Sequence, residues 1–180
     1  MPFIAIALIV AAALGGGATI AAQQAMPGDA LWDFKVTVNE RAQAALVSGE
    51  KAKADWSIAI AKVRLEEAQK LAAQGKLSAD AKADIEANFE GHAKAVAEHI
   101  ARLEAKGDYA AAADVAARFQ STVATRVSAL AEAKATANTN AQATLGSVLQ
   151  KAQATLDIAS DLSAEASAKA AISASTTIGL

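Results

Sequence analysis

The chain has 180 residues, 20% of them charged, and a net charge of -2; without a broad basic field, nucleic-acid binding is excluded. It contains no Cys, which removes disulfides, thiolate metal sites and thiol catalysis. Aromatic residues make up only 4%, and Ala about three residues in ten, so the chain cannot wall a large aromatic pocket and favours long, closely spaced helices, because Ala loses no side-chain entropy on becoming helical.

The first element is Met1 to Gln24, MPFIAIALIVAAALGGGATIAAQQ, with no charged residue before Asp29. About 20 apolar residues suffice for a helix to cross the hydrocarbon core of a bilayer. A helix apolar all round belongs in lipid or deep inside a large protein, and the Ala-rich remainder is too small to wrap it. A signal peptide wants a basic n-region, and the first basic residue is Lys35. Two placements remain: a membrane anchor, or the inner rod of a filament packed against copies of itself. In both, Phe3, Ile4, Ile6, Leu8, Ile9, Val10 and Leu14 carry the burial. Gly15 to Gly17 weaken the helix by about 1 kcal/mol each relative to Ala but permit close helix–helix approach. Orientation normally leans on flanking Lys or Arg, and this end has none; one resolution is a short basic leader cut away ahead of Met1. That layout, an apolar N-terminal helix and then a polar head, resembles processed type IV pilin-like subunits. Those usually carry Glu at the fifth position, where this chain has Ala5.

Pro27-Gly28 is a turn signal, and Asp29 is a good N-cap for a helix over residues 30–47. The β-branched run Val36-Thr37-Val38 works against that helix locally. Ser48-Gly49 ends it. A third helix covers 50–74, with Trp56, Ile60 and Val63 at i, i+4, i+7, widened by Ile58, Leu65 and Leu71; Gly75 is its stop. Ser78 caps a fourth helix to about Lys106, with Ile85, Phe89, Val96, Ile100 and Leu103 as its stripe. Asp108 caps a fifth, to about Lys134, seamed by Val115, Phe119, Val123, Val127 and Leu130. The last starts near Asn140 with Leu145, Val148, Leu149, Leu156 and Leu162 inward. Its Asp157, Asp161, Glu165 and Lys169 form a solvated face, and its last residues are expected to fray. Short connections favour antiparallel neighbours.

Pro27-Gly28-Asp29-x-Leu31-Trp32-x-x-Lys35, then Glu40, then Arg64-Leu65-x-Glu67-Ala68-x-x-Leu71 resembles a bacterial domain of unknown function. Its pattern is approximately PGDxLYPxK, a recurrent Glu, and RLxEA. The likeness covers residues 26–75, with Trp32 in place of Tyr and Asp33 in place of Pro. It implies a helical domain that follows a membrane segment and faces outside the cytoplasm, and it implies no established activity. On this reading Pro27, Gly28 and Asp29 turn the chain out of the apolar segment. Trp32 then either sits at the interface, where a ring with one wet edge is suited, or packs between helices.

His92 and His99 are the only candidate metal ligands. Their i, i+7 spacing differs from the i, i+3 or i, i+4 of helical ligand pairs, which favours a place at the core edge. Adjacent Glu66 and Glu67 point to different sides of their helix, and Arg64 is too near in sequence to face either squarely. Salt bridges to neighbouring helices outweigh acid–base catalysis for them. The basic cluster Lys51, Lys53, Lys62 and Arg64 reads as a solvated face.

The expected architecture is all-α: an apolar N-terminal helix, residues 1–26, transmembrane or filament-core, followed by an antiparallel bundle of about five Ala-rich amphipathic helices, residues 27–180. The expected function is non-enzymatic and cofactor-free: an exported, self-assembling pilin-like subunit of the cell envelope or extracellular space. The alternative is a single-pass anchored extracytoplasmic module that binds a partner or a cation. The partners are copies of the chain or a lipid bilayer, through residues 1–24.

Overall fold

A computed structural model of the chain describes residues 22–178. The apolar segment through Phe3, Ile4, Ile6, Leu8, Ile9, Val10 and Leu14 lies outside the described residues. Among the described residues the fold is all-α, and no helix is long and apolar enough to cross a membrane. The chain divides into two units between Ser48 and Gly49.

In the first unit, helix α1 (Trp32–Phe34) runs into a π-helical segment, Lys35–Asn39, and on into α2 (Glu40–Leu46). The widened segment begins at Lys35 and takes in the β-branched run. There the Thr37 hydroxyl donates to the Asp33 carbonyl at 2.6 Å, the oxygen a regular α-turn would give to the Thr37 N–H. Asp29 does not cap this helix. Leu31 occupies the N-cap position, and the Asp29 carboxylate instead accepts from the Met26 N–H at 2.7 Å. Gly28, at φ 95°, turns the chain so that the carboxylate reaches backward, a conformation open to Gly because it has no Cβ.

The second unit is a bundle of four helices: α3 (Glu50–Ala73), α4 (Ala79–Ala105), α5 (Tyr109–Thr136) and α6 (Thr139–Ile178). Their ends follow from local chemistry. Ser78 and Asp108 accept from the backbone N–H of Ala81 and Ala111 at 3.1 and 3.3 Å, which satisfies donors left over at helix starts. Helices α3 and α4 both stop in Schellman turns. Gly75 and Gly107 take positive φ, and the Lys76 and Asp108 N–H groups return to Leu71 and Leu103 at 2.8 and 3.0 Å. Helix α6 is described through Ile178.

Every pair of helices in this unit touches, most extensively α3 with α4 and α5 with α6. Side-chain pairs give the directions. Between α3 and α5 the ion pairs Lys51–Asp114, Asp55–Arg118 and Glu66–Arg126 keep sequence separations of 63, 63 and 60 residues, so these helices run parallel. Between α4 and α6, Glu86–Ser147, Glu90–Lys151 and Glu104–Lys169 do the same at 61, 61 and 65. Within the hairpins the start of α3 meets the end of α4 at Glu50–His99, so those two run antiparallel. The unit is thus two antiparallel hairpins laid face to face.

The core is a heptad seam built largely of Ala. On α6, Leu145, Ala152, Ala159 and Ala166 recur every seven residues with no exposed surface. On α3, Ala54, Ala61 and Ala68 recur at the same spacing and are buried, joined by Ile58 and Leu65 four positions on. Seven-residue recurrence is the spacing that keeps one face toward a partner along two packed helices. Of the inward face expected for α3, Ile58, Ile60, Leu65 and Leu71 are buried; Trp56 and Val63 are only half-buried, and the Ala column takes their place. On α6, Leu149, Leu156 and Leu162 are likewise half-buried while Ala152, Ala159 and Ala166 are sealed. Phe89 and Phe119 supply the large side chains.

A seam of methyl groups leaves no slack for larger side chains. Ala159→Leu is expected to lower unfolding free energy by about 1–3 kcal/mol, the usual result of overpacking a closed core. Urea denaturation followed by circular dichroism measures it; unchanged stability would contradict the seam.

Candidate functional site

The polar residues of the first unit form a staple. Lys35 is buried, and its Nζ donates to the Ala25 carbonyl at 3.0 Å. With the Asp29 carboxylate on the Met26 N–H, the two ends of the Ala25–Asp29 turn are each held by a side chain. Pro27 and Trp32 are buried, and Asn39, Glu40 and Gln43 are also withdrawn from solvent. The π-helical segment aims Lys35 and Asn39 inward from one widened turn; such insertions often accompany functional positions.

In the second unit the polar side chains enter the seam itself. Arg64 is fully buried, with 0% exposure. Ala61 and Ala68, the seam residues on either side of it along α3, leave room for the guanidinium. Its Nη1 donates to Glu67 Oε2 one turn on, and Glu67 is itself sealed. The expectation that Arg64 stands too close in sequence to face a Glu is thereby overturned: i, i+3 residues share a helix face. So is its assignment to a solvated basic face. Of that cluster, Lys51 pairs with Asp114 and Lys62 with Glu66 on the surface. Glu66 leaves the helix on another side and pairs with Arg126 at 3.0 Å.

The spacing of His92 and His99 is the seam spacing. On α4 the buried residues Ile85, Phe89, Val96 and Leu103 stand four, seven and seven apart, and the two His fall in the seven-residue gaps, completing an alternation of four and three. Each meets a polar group on α3. Burial first, and then the charge of Arg64, push the His92 pKa down to about 4, so its ring is neutral at pH 7. His99 Nδ1 lies 2.7 Å from Glu50 Oε2; a carboxylate only accepts, so Nδ1 carries the proton. The hydrogen bond from His99 holds the Glu50 carboxyl below its ordinary range, aided by Lys106 and Arg102. That group sits where the α3 N-terminus meets the α4 C-terminus, so acid and bases both match the helix dipoles. Seven residues along a helix rise about 10 Å, and the two rings are not brought together on one ion. Among the described residues no three His, Asp or Glu side chains cluster as a metal site.

Two of the cavities on the bundle are lined by described residues. One, of about 550 Å³, lies where α4 ends and α5 begins, lined by Glu104, Tyr109, Lys169 and Ile172 of α6. Hydrogen bonds from Lys169 to Glu104 and Glu165 raise the Lys169 pKa and hold it as a cation. The other, of about 390 Å³, lies between α4 and α6 over Phe119.

The described chain is thus an all-helical protein with a stapled N-terminal turn and a hairpin that buries an Arg–Glu pair. Residues 24–104 match the family model described as Domain of unknown function (DUF5667). The match takes in the staple, α3 and α4 as far as Glu104; α5 and α6 lie outside it. No curated protein and no solved structure is detectably similar to the chain.

The sequence could have revealed Arg64, since the Ala54-Ala61-Ala68 heptad places it inward once Ala is read as core. Nothing in the sequence pairs Lys35 with the Ala25 carbonyl, because that contact depends on the Gly28 turn.

His92 makes stability depend on pH with a definite sign. Its folded pKa lies below the unfolded value of 6.5, so below pH 6.5 the unfolded chain binds the extra proton, and stability falls as pH drops from 6.5 toward 4. The loss at the lower end is of order 3 kcal/mol. Urea titrations across that window test it. His92→Gln should flatten the dependence, and an unchanged slope in the variant would contradict the burial of a neutral ring. The Glu50 effect, from a lowered carboxylate, enters only below its ordinary 4.5.

Proposed function

We propose that the chain is a non-enzymatic, extracytoplasmic helical module held at a membrane by its apolar segment, residues 2–22. The observation that carries the reading is how the bundle treats its charges. Lys51, Asp55, Glu66, Glu90 and Glu104 each pair with a residue of opposite charge on another helix. Charged groups used to lock helices together support a structural or binding role over acid–base catalysis. The apolar segment ends just ahead of the residues that match the family model, which supports a module displayed beyond an anchor.

The second reading, a filament subunit, places its self-contacts in the apolar segment, residues 1–24, ahead of the bundle. Among the described residues of the bundle the exposed large apolar side chains are Ile158 and Ile172, and single apolar residues are ordinary on a monomer's surface.

The chain lacks Cys, so one introduced thiol reports topology cleanly. Ser167 is exposed on α6. In bacterial cells expressing Ser167→Cys, a membrane-impermeant maleimide should label intact cells. The protein should sediment with membranes and leave detergent extraction as a monomer. Adding Leu8→Asp and Leu14→Asp should release it from the membrane with its helix content unchanged. Labelling only after lysis, or filaments in electron micrographs of the unmutated chain, would overturn the proposal.

A further inference from the structure

The seam between α4 and α6 is closed at its two ends and open between them. At one end Ser147 donates to Glu86 at 2.7 Å and Lys151 pairs with Glu90. At the other, Lys169 donates to Glu104 at 2.7 Å. Between these bridges the facing residues are Ala93 and Ala97 on α4 and Ala154 and Ile158 on α6, and they line the cavity of about 390 Å³. The small Ala side chains leave that space between the two helices unfilled. Phe119, itself 1% exposed, forms the floor. Ile158 stands 57% exposed on the wall.

The trough has a polar end. Lys94 lies on its lining beside the Glu90–Lys151 pair, and Lys94 is exposed. Unlike Lys151, whose charge Glu90 answers and whose pKa that bond raises, Lys94 makes no ion pair among the described residues. The lining charges therefore sum to a surplus cation at one end of an apolar trough.

We infer that this trough is a binding site for one single-chain anionic amphiphile, a fatty-acid-type carboxylate. The tail lies over Phe119 between Ala97 and Ile158, and the carboxylate meets Lys94. The volume falls in the range of small-molecule sites, which are mostly apolar with a few polar groups fixing orientation. It is too slight for a protein partner, which needs about 800 Å² of surface on each side. The site lies within the bundle and stands whether or not the N-terminal segment enters a bilayer.

The test uses the full chain in zwitterionic lipid nanodiscs, with dodecanoate carrying a terminal diazirine as the probe. Cross-links mapped by mass spectrometry should fall on the peptides around Ala93–Ala97 and Ala154–Ile158. Ala154→Phe fills the trough from an exposed position and should abolish them, with helix content and stability unchanged. Lys94→Glu should weaken labelling by about tenfold, as expected for loss of a charge-assisted contact. A dodecylammonium probe of the same length should label this site weakly. Scattered cross-links, labelling indifferent to Ala154→Phe or Lys94→Glu, or equal labelling by the cationic probe would overturn the inference. So would a dimer that Ala154→Phe dissociates, which would give the trough to a second copy of the chain.

Discussion

An arginine with no solvent exposure sits in the middle of a seam made mostly of Ala, Ile and Leu, and the first hairpin of the bundle is organised around it. Withdrawing an ion from water costs several kcal/mol even after the protein relaxes. The hairpin meets that cost with local geometry. Glu67 lies one turn along the same face and accepts from the guanidinium. Across the interface stands His92, a ring that burial and the Arg64 charge keep neutral. A second cation there would add repulsion at low dielectric; a neutral imidazole does not. The small neighbours Ala61 and Ala68 are as necessary as the ion pair, because any larger residue would occupy the space the guanidinium fills.

The same scarcity of large side chains shapes the rest of the bundle. Ala columns on α3 and α6 bury little apolar area per residue, so close packing alone contributes less here than in a Leu-rich core. Register is specified instead by cross-helix ion pairs. Their near-constant separations along α3–α5 and α4–α6 leave one alignment in which every pair meets. Exposed pairs contribute little stability each, yet a mis-registered bundle would place several like charges together. Where the facing residues of α4 and α6 are small Ala side chains, a trough is left, so the composition that closes the core also opens the surface.

Much of the helix layout was legible in the sequence, since it rests on local chemistry. Ser78 and Asp108 cap, Gly75 and Gly107 stop, and each acts within one turn. The inward face was less legible. Hydropathy weighs Trp56 and Val63 above Ala54 and Ala61, whereas burial in a closely spaced bundle selects the small residues. Polar roles were least legible. Arg64, Lys35 and Asp29 take their partners from a helix face, a π-helical turn and a left-handed Gly, and spacing alone ranks none of these above solvent. The histidine pair illustrates the same limit: seven residues apart reads as a poor metal site, and the structure supplies the reason for the spacing, which is the heptad.

The placement of the chain at a membrane and the ligand of the trough both presuppose a stably folded bundle, and its first hairpin buries the Arg64–Glu67 pair. A double-mutant cycle on Arg64→Met and Glu67→Met tests this most directly. Each single change removes one member of a buried ion pair and should cost about 3–5 kcal/mol, while the double variant, apolar at both positions, should cost less than their sum. Costs that simply add, or an Arg64→Met chain as stable as the parent, would contradict the account.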